Sequence, residues 1–143
     1  MGALSGELEE VEVTVEETPK RKPYTIWKVD GKEYKLKLST SEIVNLESKL
    51  RVNLLTVVSN AEEGALPPLK VMLLITHGAL EKFQHGIKED DVITMFDKYC
   101  EEGGTQMSFM TDVFLPIYQV SGFFSRAQAD TMDKKLVEAK ELM

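Results

Sequence analysis

The sequence predicts an α+β fold, mainly α, in which an N-terminal β-hairpin packs on a bundle of four to five helices. Three observations lead there. An Asp30-Gly31 pair sits between two alternating runs, a series of capped segments carries apolar residues at helical spacing, and 143 residues with 43% hydrophobic content suffice for one core.

The hairpin signal is the clearest. Tyr24-Thr25-Ile26-Trp27-Lys28-Val29 precedes Asp30-Gly31, and Lys32-Glu33-Tyr34-Lys35-Leu36-Lys37-Leu38 follows it. Asp-Gly supplies the positive backbone angles of a tight two-residue turn. Folding there pairs Val29 with Lys32, Lys28 with Glu33 and Trp27 with Tyr34. Trp27, Tyr34 and Leu36 then share the core face, while Lys35 and Lys37 join Tyr24 and Ile26 on a mixed, partly solvated face. A two-stranded hairpin is marginal alone, so this one must lean on helices.

Helix starts and stops follow in order. Ser39 with Glu42 fits a capping box, so a helix begins near Thr40 and turns Ile43, Leu46 and Leu50 inward. Asn53 caps a short second piece with Leu54, Leu55, Val57 and Val58, and a loop runs from Asn60 to Leu66. Pro67-Pro68 opens the next helix, since proline is tolerated where its missing donor is not needed; Leu69, Met72, Leu73, Ile75, Thr76, Leu80 and Phe83 lie on it, and His85-Gly86 ends it. Lys88-Glu89-Asp90-Asp91 starts a fourth helix, its carboxylates suiting the positive end of the dipole, with Val92, Ile93, Met95, Phe96, Tyr99 and Cys100 inward and Gly103-Gly104 as the stop. The segment from Thr105 to Ser121 is apolar on nearly every side, as a central helix is, and Pro116 should kink it.

Three regions result: an acidic leader over 1–23, a core domain over 24–124, and a polar C-terminal helix or tail over 125–143. The leader has the composition of a disordered segment, although Val11, Val13 and Val15 alternate with polar residues as an edge strand would.

Composition narrows the function. A formal net charge of -7 argues against a nucleic-acid partner, which selects a clustered basic face; the densest basic run, Lys20-Arg21-Lys22, comes just after the glutamate-rich part of the leader. The longest apolar run, Val71 to Ile75, is far too short to span a bilayer, and no apolar signal-peptide core opens the sequence. A single cysteine, Cys100, fits a reducing compartment and reads as a core thiol, because Glu101 and Glu102 disfavour a reactive thiolate. His77 and His85 lie eight residues apart, where a two-histidine metal site on a helix needs about one turn. Glu89, Asp90 and Asp91 lack the alternating oxygens and central glycine of a calcium loop. With no catalytic constellation, no metal site and no cofactor fingerprint, the chain reads as a binding protein rather than an enzyme.

Two groups of residues are candidates for partner contact. Met107 and Met110 beside Phe109 suit an adaptable binding groove, with plain core packing as the alternative. Phe123 and Phe124 stand beyond a glycine stop, where they either face a partner or tuck back onto their own core.

Several phrases, taken in order and spacing, resemble one family. These are Leu66-Pro67-Pro68-Leu69, His85-Gly86-Ile87 before Asp90-Asp91-Val92, Glu102-Gly103-Gly104 with Gln106, and Tyr118-Gln119-Val120-Ser121-Gly122-Phe123-Phe124. From about Tyr24 to Phe124 the chain resembles the tail assembly chaperones of long-tailed, siphovirus-type bacteriophages and prophages of Gram-positive bacteria. The resemblance implies a protein of the host cytoplasm that binds the tape measure protein during virion assembly. It keeps that chain soluble, helps recruit tail tube protein, and is absent from the mature virion. It also implies a longer frameshifted form of the same chain, of which a product ending at Met143 looks like the short counterpart. Homo-oligomerisation is left open. The alternative is a head-tail joining or tail-terminator protein that persists in the virion.

Overall fold

The computed structural model describes residues 21–62 and 65–125, together with residues 128, 131, 134 and 138. It is an α+β fold, mainly α: within residues 21–62 and 65–125 there are one antiparallel hairpin and five helices. Strand β1 (Thr25–Val29) pairs with β2 (Lys32–Leu36), and Asp30 and Gly31 both take positive φ, as a two-residue turn of this hand requires. The register follows from that turn: Val29 faces Lys32, Lys28 faces Glu33, and Trp27 faces Tyr34.

The helices are α1 (Thr40–Leu50), α2 (Leu54–Glu62), α3 (Leu69–Leu80), α4 (Glu89–Glu101) and a last helical run, α5. Ser39 caps α1 by accepting from the Glu42 amide. The return half of the expected capping box is missing, because the Glu42 carboxylate lies beside Gly78 of α3 instead. Asn53 Oδ1 accepts from the Leu55 amide at the start of α2, and Asp91 accepts from the Lys88 amide ahead of α4.

Helix α5 has three parts: Gln106–Phe109, a π-helical turn Met110–Phe114, and Leu115–Val120. The wide turn is the fold's answer to Pro116. Proline offers no amide to the preceding turn, and just before it the Leu115 amide reaches back to the Met110 carbonyl, one residue further than in an α-helix. Helical backbone continues on both sides, so the expected disturbance takes the form of a π-turn. Further on, Ser125 and Gln128 cap each other reciprocally and residues 128, 131, 134 and 138 are helical.

Two expectations about the helices need correction. Helix α3 ends at Leu80, not at His85-Gly86; the Phe83 and Gln84 amides close onto the Leu80 carbonyl, and Phe83 moves out to meet Tyr24 edge-on. On α4 the buried stripe is Val92, Met95 and Phe96, with Tyr99 half-covered at its end. Ile93 and Cys100 flank that stripe and are exposed, so Cys100 is not a core thiol. At 100° per residue, a stripe of this spacing has no room for them. The alternating valines Val11, Val13 and Val15 lie outside the described residues.

Trp27 locks the sheet to the helices. It is 1% exposed and meets Phe109 of α5 at 5.2 Å and Tyr99 of α4 at 6.1 Å between ring centroids, both edge-to-face. Phe96 closes the cluster against Phe109. Its indole Nε1 is buried with no hydrogen-bond partner among the described residues, a cost of about 1–3 kcal/mol that ring burial must outweigh. Gly104 leaves space for Tyr99, since a Cβ there would stand 2.3 Å from the ring. Replacing Trp27 with alanine should cost about 3–5 kcal/mol, read by denaturant unfolding, and native emission should be blue-shifted and move red on unfolding.

Candidate functional site

Helix α3 is the hub on which a site can be built. Met72, Ile75, Ala79 and Leu80 are fully buried, and α3 packs against α1, α4 and β2. Gly78 brings α1 close: a Cβ there would lie 3.0 Å from Leu46 Cδ1. One stripe of α3 is left partly uncovered where α4 begins. There Leu69, Leu73 and Leu74 meet Ile93 across a groove of about 450 Å³, with Lys70 on one wall and Glu89 and Asp90 on the other. Ile93 is 52% exposed, although it is a large apolar side chain.

The groove walls are held in place from outside. Lys49 of α1 forms an ion pair with Glu89, and its hydrogen bond and charge hold the Glu89 carboxyl below its ordinary pKa. His77 Nε2 donates to the Ile87 carbonyl at 2.7 Å and lies 3.3 Å from Glu81 Oε1. That contact fastens the loop between α3 and α4 to α3, and so sets the spacing of the two walls.

The lining carries no nucleophile paired with a base. An apolar floor with charges at its margins suits the apolar face of a helical segment from another chain. Among the described residues no group of three or more His, Cys, Asp or Glu is placed to hold a metal ion, and no helix is long and apolar enough to cross a membrane.

Residues 20–143 match a family of unknown function, DUF6096. The chain belongs to that family. No curated protein and no solved structure matches it. The matched span takes in the hairpin, all five helices and therefore both walls of the groove.

The four residues singled out from the sequence have different placements. Met110 is a core residue of the π-turn. Met107, one turn earlier, is 41% exposed. Phe123 and Phe124 are half-buried and packed against the core, Phe123 resting on Tyr118 at 4.7 Å, while Arg21 donates to the Phe124 carbonyl at 2.8 Å. The groove is not marked by any of these four residues. Its signal was the excess breadth of apolar surface on α3, where Val71 and Leu74 add to a face already complete with Met72, Ile75 and Ala79.

Tyr118, beneath Phe123, joins α5 to the α1–α2 corner. Its hydroxyl donates to the Leu54 carbonyl at 2.9 Å, and the Leu54 amide donates to Glu47 Oε2 at 2.9 Å. Burial, with a smaller push from Glu47, raises the phenol pKa far above its ordinary value. The native state therefore favours neutral Tyr118. Its contribution is intact below about pH 10, where a free tyrosine titrates, and is lost progressively as pH rises beyond that. Alkaline titration should show Tyr118 phenolate absorbance only together with unfolding. The Tyr118→Phe variant should lose about 1–2 kcal/mol at neutral pH and show a shallower alkaline decline.

Proposed function

We propose that the chain is a tail assembly chaperone of a long-tailed bacteriophage or prophage, and that it holds an apolar helical stretch of the tape measure protein in the groove between α3 and α4. The single observation that supports this most is the groove: half-buried Leu69 and Leu74 and exposed Ile93 line an open apolar surface between two packed helices, with buried Leu73 beneath it. A monomer that leaves such a surface to water gains by covering it with a partner. The resemblance in Leu66-Pro67-Pro68-Leu69 and in the phrase from His85 to Val92 falls on the segments that open α3 and α4, so it borders both walls.

The physical task follows from the surfaces. A long, apolar-rich tape measure chain aggregates when its helical faces meet one another before the tail tube surrounds them. A small carrier with a net charge of -7 that covers such a face replaces an apolar surface with an acidic one. Lys70, Glu89 and Asp90 at the margins contribute to register more than to affinity. The open groove keeps binding reversible, which release before tail completion demands. In this reading the protein acts in the host cytoplasm, tail tube subunits gather on the complex, and the chaperone leaves before the virion is complete.

Co-expression with the cognate tape measure protein tests the reading. The intact chain should raise the soluble yield of tape measure and copurify with it. Ile93→Asp should abolish both, with stability changed by no more than about 0.5 kcal/mol because the side chain is already exposed. Unchanged solubilisation by the variant would remove the groove from the mechanism. If the intact protein binds no part of the tape measure and is found in purified virions, a structural role replaces the chaperone role.

A further inference from the structure

The two edges of the hairpin are treated differently. On β2, the Gln84 side chain pairs with Lys35 as a strand would: the Lys35 amide donates to Gln84 Oε1 at 2.9 Å, and Gln84 Nε2 donates to the Lys35 carbonyl at 2.8 Å. Next to it, the Lys37 amide donates to the Ala79 carbonyl at 3.0 Å. That edge is covered at Lys35 and Lys37.

The β1 edge is not. Ile26 stands opposite Lys35, and facing residues of an antiparallel pair direct their backbone groups alike, either both toward each other or both away. Since Lys35 points away from β1, Ile26 points away from β2, and Lys28 does the same by the two-residue period. Among the described residues, no hydrogen bond from outside the hairpin reaches the backbone of Ile26 or Lys28. Ile26 is 37% exposed and Lys28 is exposed. Proteins ordinarily blunt such an edge with charge, proline or a covering element; among the described residues the covering lies on β2.

Charge indicates what fits. The outward face of the hairpin carries Lys28, Lys35 and Lys37 against one carboxylate, Glu33, in a chain whose net charge is -7. A strand added to β1 lies about 4.8 Å away and sets its outward side chains beside Ile26 and Lys28. A second copy pairing by the same edge would instead join two lysine-rich faces in one sheet, where like charges repel.

We propose that the free edge of β1 docks an extended segment of a partner protein in which acidic residues alternate with β-branched apolar ones, adding it as a third strand. This surface is separate from the α3–α4 groove and does not depend on how the groove is used. Main-chain hydrogen bonds to Ile26 and Lys28 supply the pairing, and the lysines select the acidic face.

The test uses the full chain and an acetylated, amidated peptide of about eight residues alternating valine and glutamate, a length that matches one strand. Titration followed by NMR should give saturable shifts and slowed hydrogen exchange at the Ile26 and Lys28 amides. A valine–lysine peptide of equal length should not bind. Lys28→Glu, which leaves the backbone untouched, should weaken binding by roughly five- to tenfold, as expected when an exposed attraction becomes a repulsion. Ile26→Pro removes the donor that points away from β2 and should abolish binding at an unchanged melting temperature. Equal binding of both peptides, shifts confined to other elements, or indifference to Lys28→Glu would overturn the proposal. Protection of the two amides in the peptide-free protein would also overturn it, since the edge would then belong to a second copy or to another part of this chain.

Discussion

Trp27 carries the attachment of the sheet to the helices. A two-stranded hairpin does not persist in water by itself, and this one contributes only Trp27, Val29 and Leu36 as deeply buried side chains. Trp27 reaches furthest, into the ring cluster of Tyr99, Phe96 and Phe109, and so joins β1 to α4 and α5 at one point. Much else is arranged around it. Gly104 keeps its hydrogen so that Tyr99 can lie flat over the stop of α4, and the Tyr99 hydroxyl meets Ser108 at 2.6 Å as α5 begins. The unpaired indole Nε1 is what the protein gives up for placing its largest ring there.

With sheet and last helix fixed, α3 has neighbours on most sides, and the side left over is the surface we propose for partner binding. Its apolar residues outnumber what α1, α4 and β2 can cover, and the remainder faces Ile93 across the groove. The walls hold their spacing through polar contacts outside the floor, Lys49 with Glu89 and His77 with the Ile87 carbonyl. For the proposed role, a groove whose walls are already held in place suits temporary cover of a helical face, because little of the binding energy is spent on ordering the receptor.

The local order was largely legible because its signals are local. Asp30-Gly31 specifies the turn and therefore every pair of the hairpin, and Ser39, Asn53, Pro67-Pro68 and the acidic run at Glu89 each mark a helix start. Helix ends and faces were less legible, for reasons that lie in tertiary contacts. Gln84 leaves the helical pattern to cover the β2 edge at Lys35, which no periodicity within α3 can reveal. Ile93 and Cys100 fit an apolar helix face by type, yet the neighbours of α4 cover only the narrower stripe of Val92, Met95 and Phe96. The groove needed two helices to be placed side by side before Leu74 and Ile93 could be seen as one surface. Met110 shows the same limit in reverse, since its type suits a binding surface and its position in the π-turn puts it in the core.

Photo-crosslinking from the floor of the groove tests the central claim most directly. A photoreactive side chain placed at position 74, with a second at the exposed position 55 on α2 as control, would be irradiated in cells that are assembling tails. Occupation of the groove by its proposed client predicts crosslinks from position 74 to a limited set of apolar helical segments of the tape measure protein, and few from position 55. Crosslinks from both positions alike, or from position 74 only to proteins of the finished virion, would contradict it.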